Sequence, residues 1–244
     1  MPIIYLSPST QEFNPYVTGG NEEQYMNLVA DAMEPYLAAS GIRYTRNTPD
    51  MTAASSIAAS NRGNYDLHLA LHSNATGTGD GSRRGSEVYY YPSSERGKRF
   101  AEIAAKNLKL IYPIPENVRT IPTTSLGEVR RVRAPGVLIE IAYHDNAEDA
   151  NWIKNNIEAI AANLVYSLTE FFYIPFNTPQ PIFTASVATL GSNLNVRYKP
   201  STEAVIVGQI PNGAEVTVFA VVGDWAVVSY GNLTGYVARR YLQY

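Results

Sequence analysis

The 244-residue chain contains no cysteine, which removes disulfides, thiol nucleophiles and thiolate metal ligands together. Histidine is scarce as well. Only three are present, His68, His72 and His144, so a metal centre rich in imidazole is excluded, and any metal must draw on carboxylates, amides, hydroxyls or water. There is no excess of positive charge: the net charge is −3, which leaves no electrostatic case for nucleic-acid binding. Long apolar runs are also missing. No stretch approaches the roughly 18 residues that would cross a bilayer, so no membrane insertion is expected. The opening MPIIYLSPST lacks the basic flank and the apolar length of a signal peptide, so no export route can be read from it.

What is present is ample for burial, with 45% hydrophobic residues. Residues 1–173 alternate between strand and helix patterns. Strands are expected at 2–6, 42–45, 67–72, 87–91 and 137–141. Helices are expected at 22–39, 53–62, 96–110 and, as one long amphipathic element capped by Asn146, at 147–172. That order predicts an α/β domain: a mixed sheet with helices on both faces. Residues 174–181, IPFNTPQP, read as a stiff proline-rich linker. Residues 182–244 change to short β-branched and aromatic runs separated by turn signals. Five or six strands there suggest a small all-β, SH3-like barrel, and the pieces either side of the linker are expected to fold separately.

Three segments carry chemistry. In LHLALHSNA, 67–75, the two histidines share one strand face but stand about 13 Å apart, too far for one ion. His72 ends the strand, where ligand sites of α/β sheets lie, whereas His68 reads as a satisfied core histidine. In Val137–Glu140 a carboxylate closes an apolar strand. Glu140 therefore needs a raised pKa suited to a general base, or else a structural ion pair with an arginine of the 130–133 run. In GGNEE, 19–23, the acids are either partners of the helix dipole or a metal ligand delivered to the same sheet edge as His72.

These segments resemble the zinc-dependent N-acetylmuramoyl-L-alanine amidases of bacterial autolysins and phage endolysins. YDLHLALHSNA (65–75) is similar to the segment whose His is a zinc ligand, implying His72. APGVLIEIAYHDN (134–146) is similar to the segment of the catalytic glutamate, implying Glu140. NEEQYMN (21–27) is similar to the helix start carrying a glutamate ligand, implying Glu22, with Glu23 as its rival; RGSEVYYYP (84–92) also fits. The family's first His, expected right after the first strand, is missing. The turn reads Ser7-Pro8-Ser9-Thr10-Gln11, so Gln11 or Thr10 would have to stand in, or His144 swing over. The resemblance implies zinc as cofactor and Asn74, Arg84 and Asn146 as substrate contacts. Its reaction is cleavage of the amide between muramic acid and the first alanine of peptidoglycan.

Residues 185–242 resemble the bacterial SH3 domains of cell-wall hydrolases, through LNVRYKPST, the Pro211–Val216 hairpin, Trp225 and GYVARRYL. Tyr198, Trp225, Tyr230 and Tyr236 could line a wall-binding groove. The expectation is a monomeric, extracellular or wall-associated hydrolase. The alternatives are a non-catalytic wall-binding protein with a degenerate amidase site, motivated by the missing His, and a zinc carboxypeptidase acting on wall peptides, which would want a closer His-x-x-Glu pair.

Overall fold

The structure, a computed structural model, describes residues 1–197, 200–204, 206–222, 224–231 and 233–244. Tyr198, one of the expected groove aromatics, and Lys199 of its motif lie outside the described residues. The first domain runs β1 (Ile3–Pro8), α1 (Glu22–Ala39), β2 (Arg43–Arg46), α2 (Ala53–Arg62), β3 (Leu67–Asn74), β4 (Ser86–Tyr90), α3 (Glu95–Leu108), β5 (Val118–Pro122), α4 (Gly127–Arg130), β6 (Gly136–Tyr143), α5 (Ala147–Asn155) and α6 (Ile157–Phe172). Its six strands form one sheet in the order β2-β1-β3-β6-β4-β5. All neighbours are parallel except β4 and β6, so the sheet is mixed, as its alternating pattern predicts.

The two faces of this sheet differ. Leu67, Leu69 and Leu71 of β3 and Val137, Ile139 and Ile141 of β6 point into the main core with α1, α3, α5 and α6. Ala70 and Leu138 face the other way, into a small cluster with Val129 of α4, and α2 packs against α4 on that side. Helices therefore cover both faces, but unequally. His68, His72 and Glu140 alternate onto the thin face by the period of two.

One expectation needs correction. The single helix over 147–172 is two helices, broken at Asn156, whose Nδ2 donates to the Trp152 carbonyl at 2.8 Å. A short amide that bonds its own backbone competes with the helix ladder. At the start of the proline-rich segment Ile174 and Phe176 pack on the main core, and Asn177 exchanges hydrogen bonds with Ser40.

The C-terminal part holds β7 (Phe183–Val187), β8 (Leu194–Arg197), β9 (Ile206–Ile210), β10 (Glu215–Val222), β11 (Trp225–Tyr230), β12 (Leu233–Ala238) and β13 (Leu242–Gln243). They form one antiparallel sheet, β13-β7-β10-β11-β12-β8-β9, around a core of its own. The seventh strand beyond expectation is the two-residue β13, too short to leave a periodic signal. This module sits on α1: the Tyr236 hydroxyl donates to Glu34, which is also paired to Arg46 at 2.8 Å.

Candidate active site

The parallel strands β1 and β3 end at the same edge, and the turn after β1 and the start of α1 close over that edge. α1 begins there because Asn21 caps it, accepting the Gln24 N–H at 2.8 Å. Gly20 precedes it with φ +82°, a left-handed conformation in which any residue with a Cβ is strained. The cap sets Glu22 at the first helical position, where it is 1% exposed.

Three expected residues meet there. His72 Nδ1 lies 2.8 Å from Glu22 Oε1 and 3.2 Å from Gln11 Nε2. Asn14 braces both neighbours, donating to Glu22 Oε2 at 2.6 Å and to Gln11 Oε1 at 3.2 Å. Burial alone would raise the Glu22 carboxyl, but hydrogen bonds from His72 and Asn14 and the charge of His72 hold it below the usual value. Glu23, the rival, is half-buried beside Glu12, and burial and that neighbour push its carboxyl up.

Glu140 stands next to His72 in the β3–β6 register and opposite Glu87 in the β4–β6 register, and Glu87 in turn pairs with Arg119 of β5. A row of His72, Glu140, Glu87 and Arg119 thus crosses the sheet on one face, each about 4.8 Å from the next. Glu87 is held by Arg119 at 2.7 Å, by the Tyr89 and Tyr143 hydroxyls and by Asn74. Glu140 has none of this: its Oε2 is enclosed without a hydrogen-bond partner among the described residues, and no arginine of the 130–133 run pairs with it. Burial pushes its carboxyl up to about 8. Glu22, Glu87 and Glu128 add to the rise, and His72 opposes it.

The remaining expected residues take other partners. His68 is the satisfied core histidine its position suggests, bonded to Ser60 at 2.9 Å and stacked on Tyr5. His144 is pinned by the Ser73 carbonyl at 2.7 Å and stacks on Tyr16, and no hydrogen bond joins it to His72 or Glu22. Asn74 touches Glu87 and so borders the row. Arg84 is engaged by Glu148 and, at 3.0 Å, by buried Asp149. Asn146 caps α5 and donates to the Gly81 carbonyl.

Sequence reasoning missed Glu128, Glu87 and Arg119. Glu87 and Arg119 could have been found only through the strand register. Glu128, on the four-residue α4, has no periodic signal at all.

A zinc ion wants about three strong donors and a water. Among the described residues no group of three His, Asp or Glu is arranged to hold one. The reason is visible: Glu22 and Glu128 sit at opposite nitrogens of His72 and cannot share an ion with it, and the third position beside Nδ1 is an amide. The set that does converge, an imidazole, a carboxylate and an amide next to an unbonded carboxylate oxygen, is of the right chemistry for zinc with one weak arm.

Comparison with known proteins agrees with the fold. A family model described as N-acetylmuramoyl-L-alanine amidase matches residues 11–170, and one described as bacterial SH3 domain matches 192–243. Among solved structures, the amidase AmiC2 of Nostoc punctiforme is 16% identical with a TM-score of 0.63, over 70% of this chain and 97% of that one. The catalytic domain of the amidase CwlV of Bacillus (Paenibacillus) polymyxa is 17% identical with a TM-score of 0.61, over 72% and 100%. The catalytic domain of the CD27L endolysin targeting Clostridia difficile is 23% identical with a TM-score of 0.57, over 70% and 97%. A search of curated proteins found no match. With two-thirds of its length matched by the family model, the chain belongs to the N-acetylmuramoyl-L-alanine amidases, followed by a bacterial SH3 domain.

Proposed function

We propose that the chain hydrolyses the amide between N-acetylmuramic acid and the L-alanine of the peptidoglycan stem with a zinc-activated water, outside the membrane or in the wall. The observation that carries this reading is the meeting of His72, Glu22 and Gln11 beside a Glu140 whose Oε2 has no partner. Zinc, when bound, lowers the pKa of a water and polarises the scissile carbonyl. His72 Nδ1 and Glu22 would hold it, with the Gln11 amide oxygen as the weak third arm once that amide is turned. Glu140 takes the proton of the attacking water and passes it to the departing alanine nitrogen, so the acyl carbon gains the hydroxyl and the amine leaves neutral. Asn74, which donates to Glu87, borders the same row and is proposed, with Arg84 and Asn146, as a substrate contact.

The SH3 module supplies wall binding in this reading. A cleft of about 580 Å³ lies beside Trp225 and is lined also by Thr202, Asp224, Arg239, Arg240 and Tyr244. Tyr236 is buried against Glu34 and does not line it.

The second reading, a wall-binding protein whose amidase site has decayed, is motivated by Gln11 in the place of a histidine. Digestion of purified peptidoglycan separates the two. New amino-terminal alanine should appear, vanish with chelator and return with zinc. Binding to sacculi without release of any amino terminus would leave the wall-binding reading standing alone.

A further inference from the structure

His68 and His72 occupy one face of β3, four residues apart, and the hydrolysis itself gives no reason for the first. Glu128 connects them. Its Oε2 lies 3.0 Å from His72 Nε2, and its Oε1 lies 3.3 Å from His68 Nε2 and 2.5 Å from the Ser7 hydroxyl. Behind these, Ser60 and Ser56 of α2 hold His68 at 2.9 Å and Ser7 at 2.7 Å. The carboxylate is 5% exposed and accepts from three donors on two strands. Burial opposes its charge, but the hydrogen bonds and charges of the two histidines keep it well below the usual carboxylate range.

We propose that Glu128 is a positioning residue of the amidase site: by accepting the Nε2–H of His72 it fixes the ring so that Nδ1 faces Glu22 and Gln11. This rests on the reading of His72 as a metal ligand. A histidine with one nitrogen tied to a carboxylate has its tautomer and plane set before any ion arrives, and its free nitrogen becomes a better donor. Such setting matters more here than where three strong ligands converge, because one imidazole must carry most of the orientation while the third arm is an amide. Glu128 is itself held from below. α4 packs on β3, β6 and α2, and His68 fills the mid-strand position as a strut for the carboxylate rather than as a ligand.

The test uses the full chain and zinc alone, in competition with a chromophoric chelator. Glu128→Ala should weaken zinc binding by roughly 10- to 100-fold. Glu128→Gln, which keeps the shape and one acceptor, should lose less. At saturating zinc kcat should fall in both while KM for wall fragments holds. If the alanine variant does not fold, the glutamine variant decides. Zinc affinity within about twofold of wild type in the folded variants, whatever their melting temperatures, would overturn the positioning role and leave a purely structural one. Wild type and His72→Ala are measured alongside. If they take up zinc equally, or neither does, the ligand reading falls and takes this role with it; if they differ and the Glu128 variants match wild type, Glu128 alone is ruled out.

Discussion

Along β3 successive side chains enter two environments that share one backbone. Leu67, Leu69 and Leu71 are fully buried among α1, α3 and α6. His68, Ala70 and His72 face the thinner α2–α4 side, where His72 and its strand neighbour Glu140 belong to a row of charges. Both faces are buried, but the first is satisfied by contact alone, which any well-packed apolar residue provides. The second is satisfied only by particular partners, because a buried polar group without one is costly. One face makes the sheet; the other spends stability to hold Glu140 beside His72 with an unbonded oxygen.

Substitutions on the two faces should therefore break different things. The largest effect belongs to the charged row. Glu140→Gln keeps the shape and removes the proton acceptor, so turnover on peptidoglycan should fall by roughly two or more decades, with the melting temperature unchanged or higher. On the apolar face Leu69→Ala should cost about 2–5 kcal/mol in denaturant unfolding, while the folded fraction keeps its kcat. His68→Ala should sit between the faces, losing about 1–3 kcal/mol as buried partners are orphaned and shifting zinc binding far less than His72→Ala.

A smaller and more specific effect is pH dependence. With its carboxyl raised from 4.5 to about 8, Glu140 keeps a proton in the folded state that the unfolded chain releases. Its contribution is present below about pH 4.5 and is lost as pH rises to about 8. The melting temperature of metal-free Glu140→Gln should therefore gain on wild type steadily from pH 5 to pH 8; a constant difference would mean that Glu140 is charged throughout. The smallest effect is expected at the junction of the two domains. Tyr236→Phe removes the hydroxyl that reaches Glu34 and should cost about 1 kcal/mol, seen as an earlier separation of the two unfolding steps.

The same contrast explains what could be read from the sequence. The apolar face was legible: Met26, Val29, Met33 and Leu37 mark α1 by their spacing, and the structure gives Glu22–Ala39 for it. β3 and β6 are likewise plain from their leucines, valines and isoleucines. The break at Asn156 was not, since the apolar period continues across it. On the charged face, the resemblance pointed to His72, Glu22 and Glu140, and these are adjacent in space. Glu128 escaped notice because α4 is one turn long and its glutamate reads as one acid before a basic run. Nothing in the sequence signalled that Arg84 bonds Asp149 or that Asn146 donates to the Gly81 carbonyl.

The central claim is that the edge formed by Gln11, Glu22 and His72 is a zinc site with one weak arm. Gln11→His tests it most directly. An imidazole is a far better zinc donor than an amide, so the substitution should tighten zinc binding by at least about tenfold with the fold intact. A folded Gln11→His protein that binds zinc no more tightly than wild type would contradict the placement of the metal at this edge.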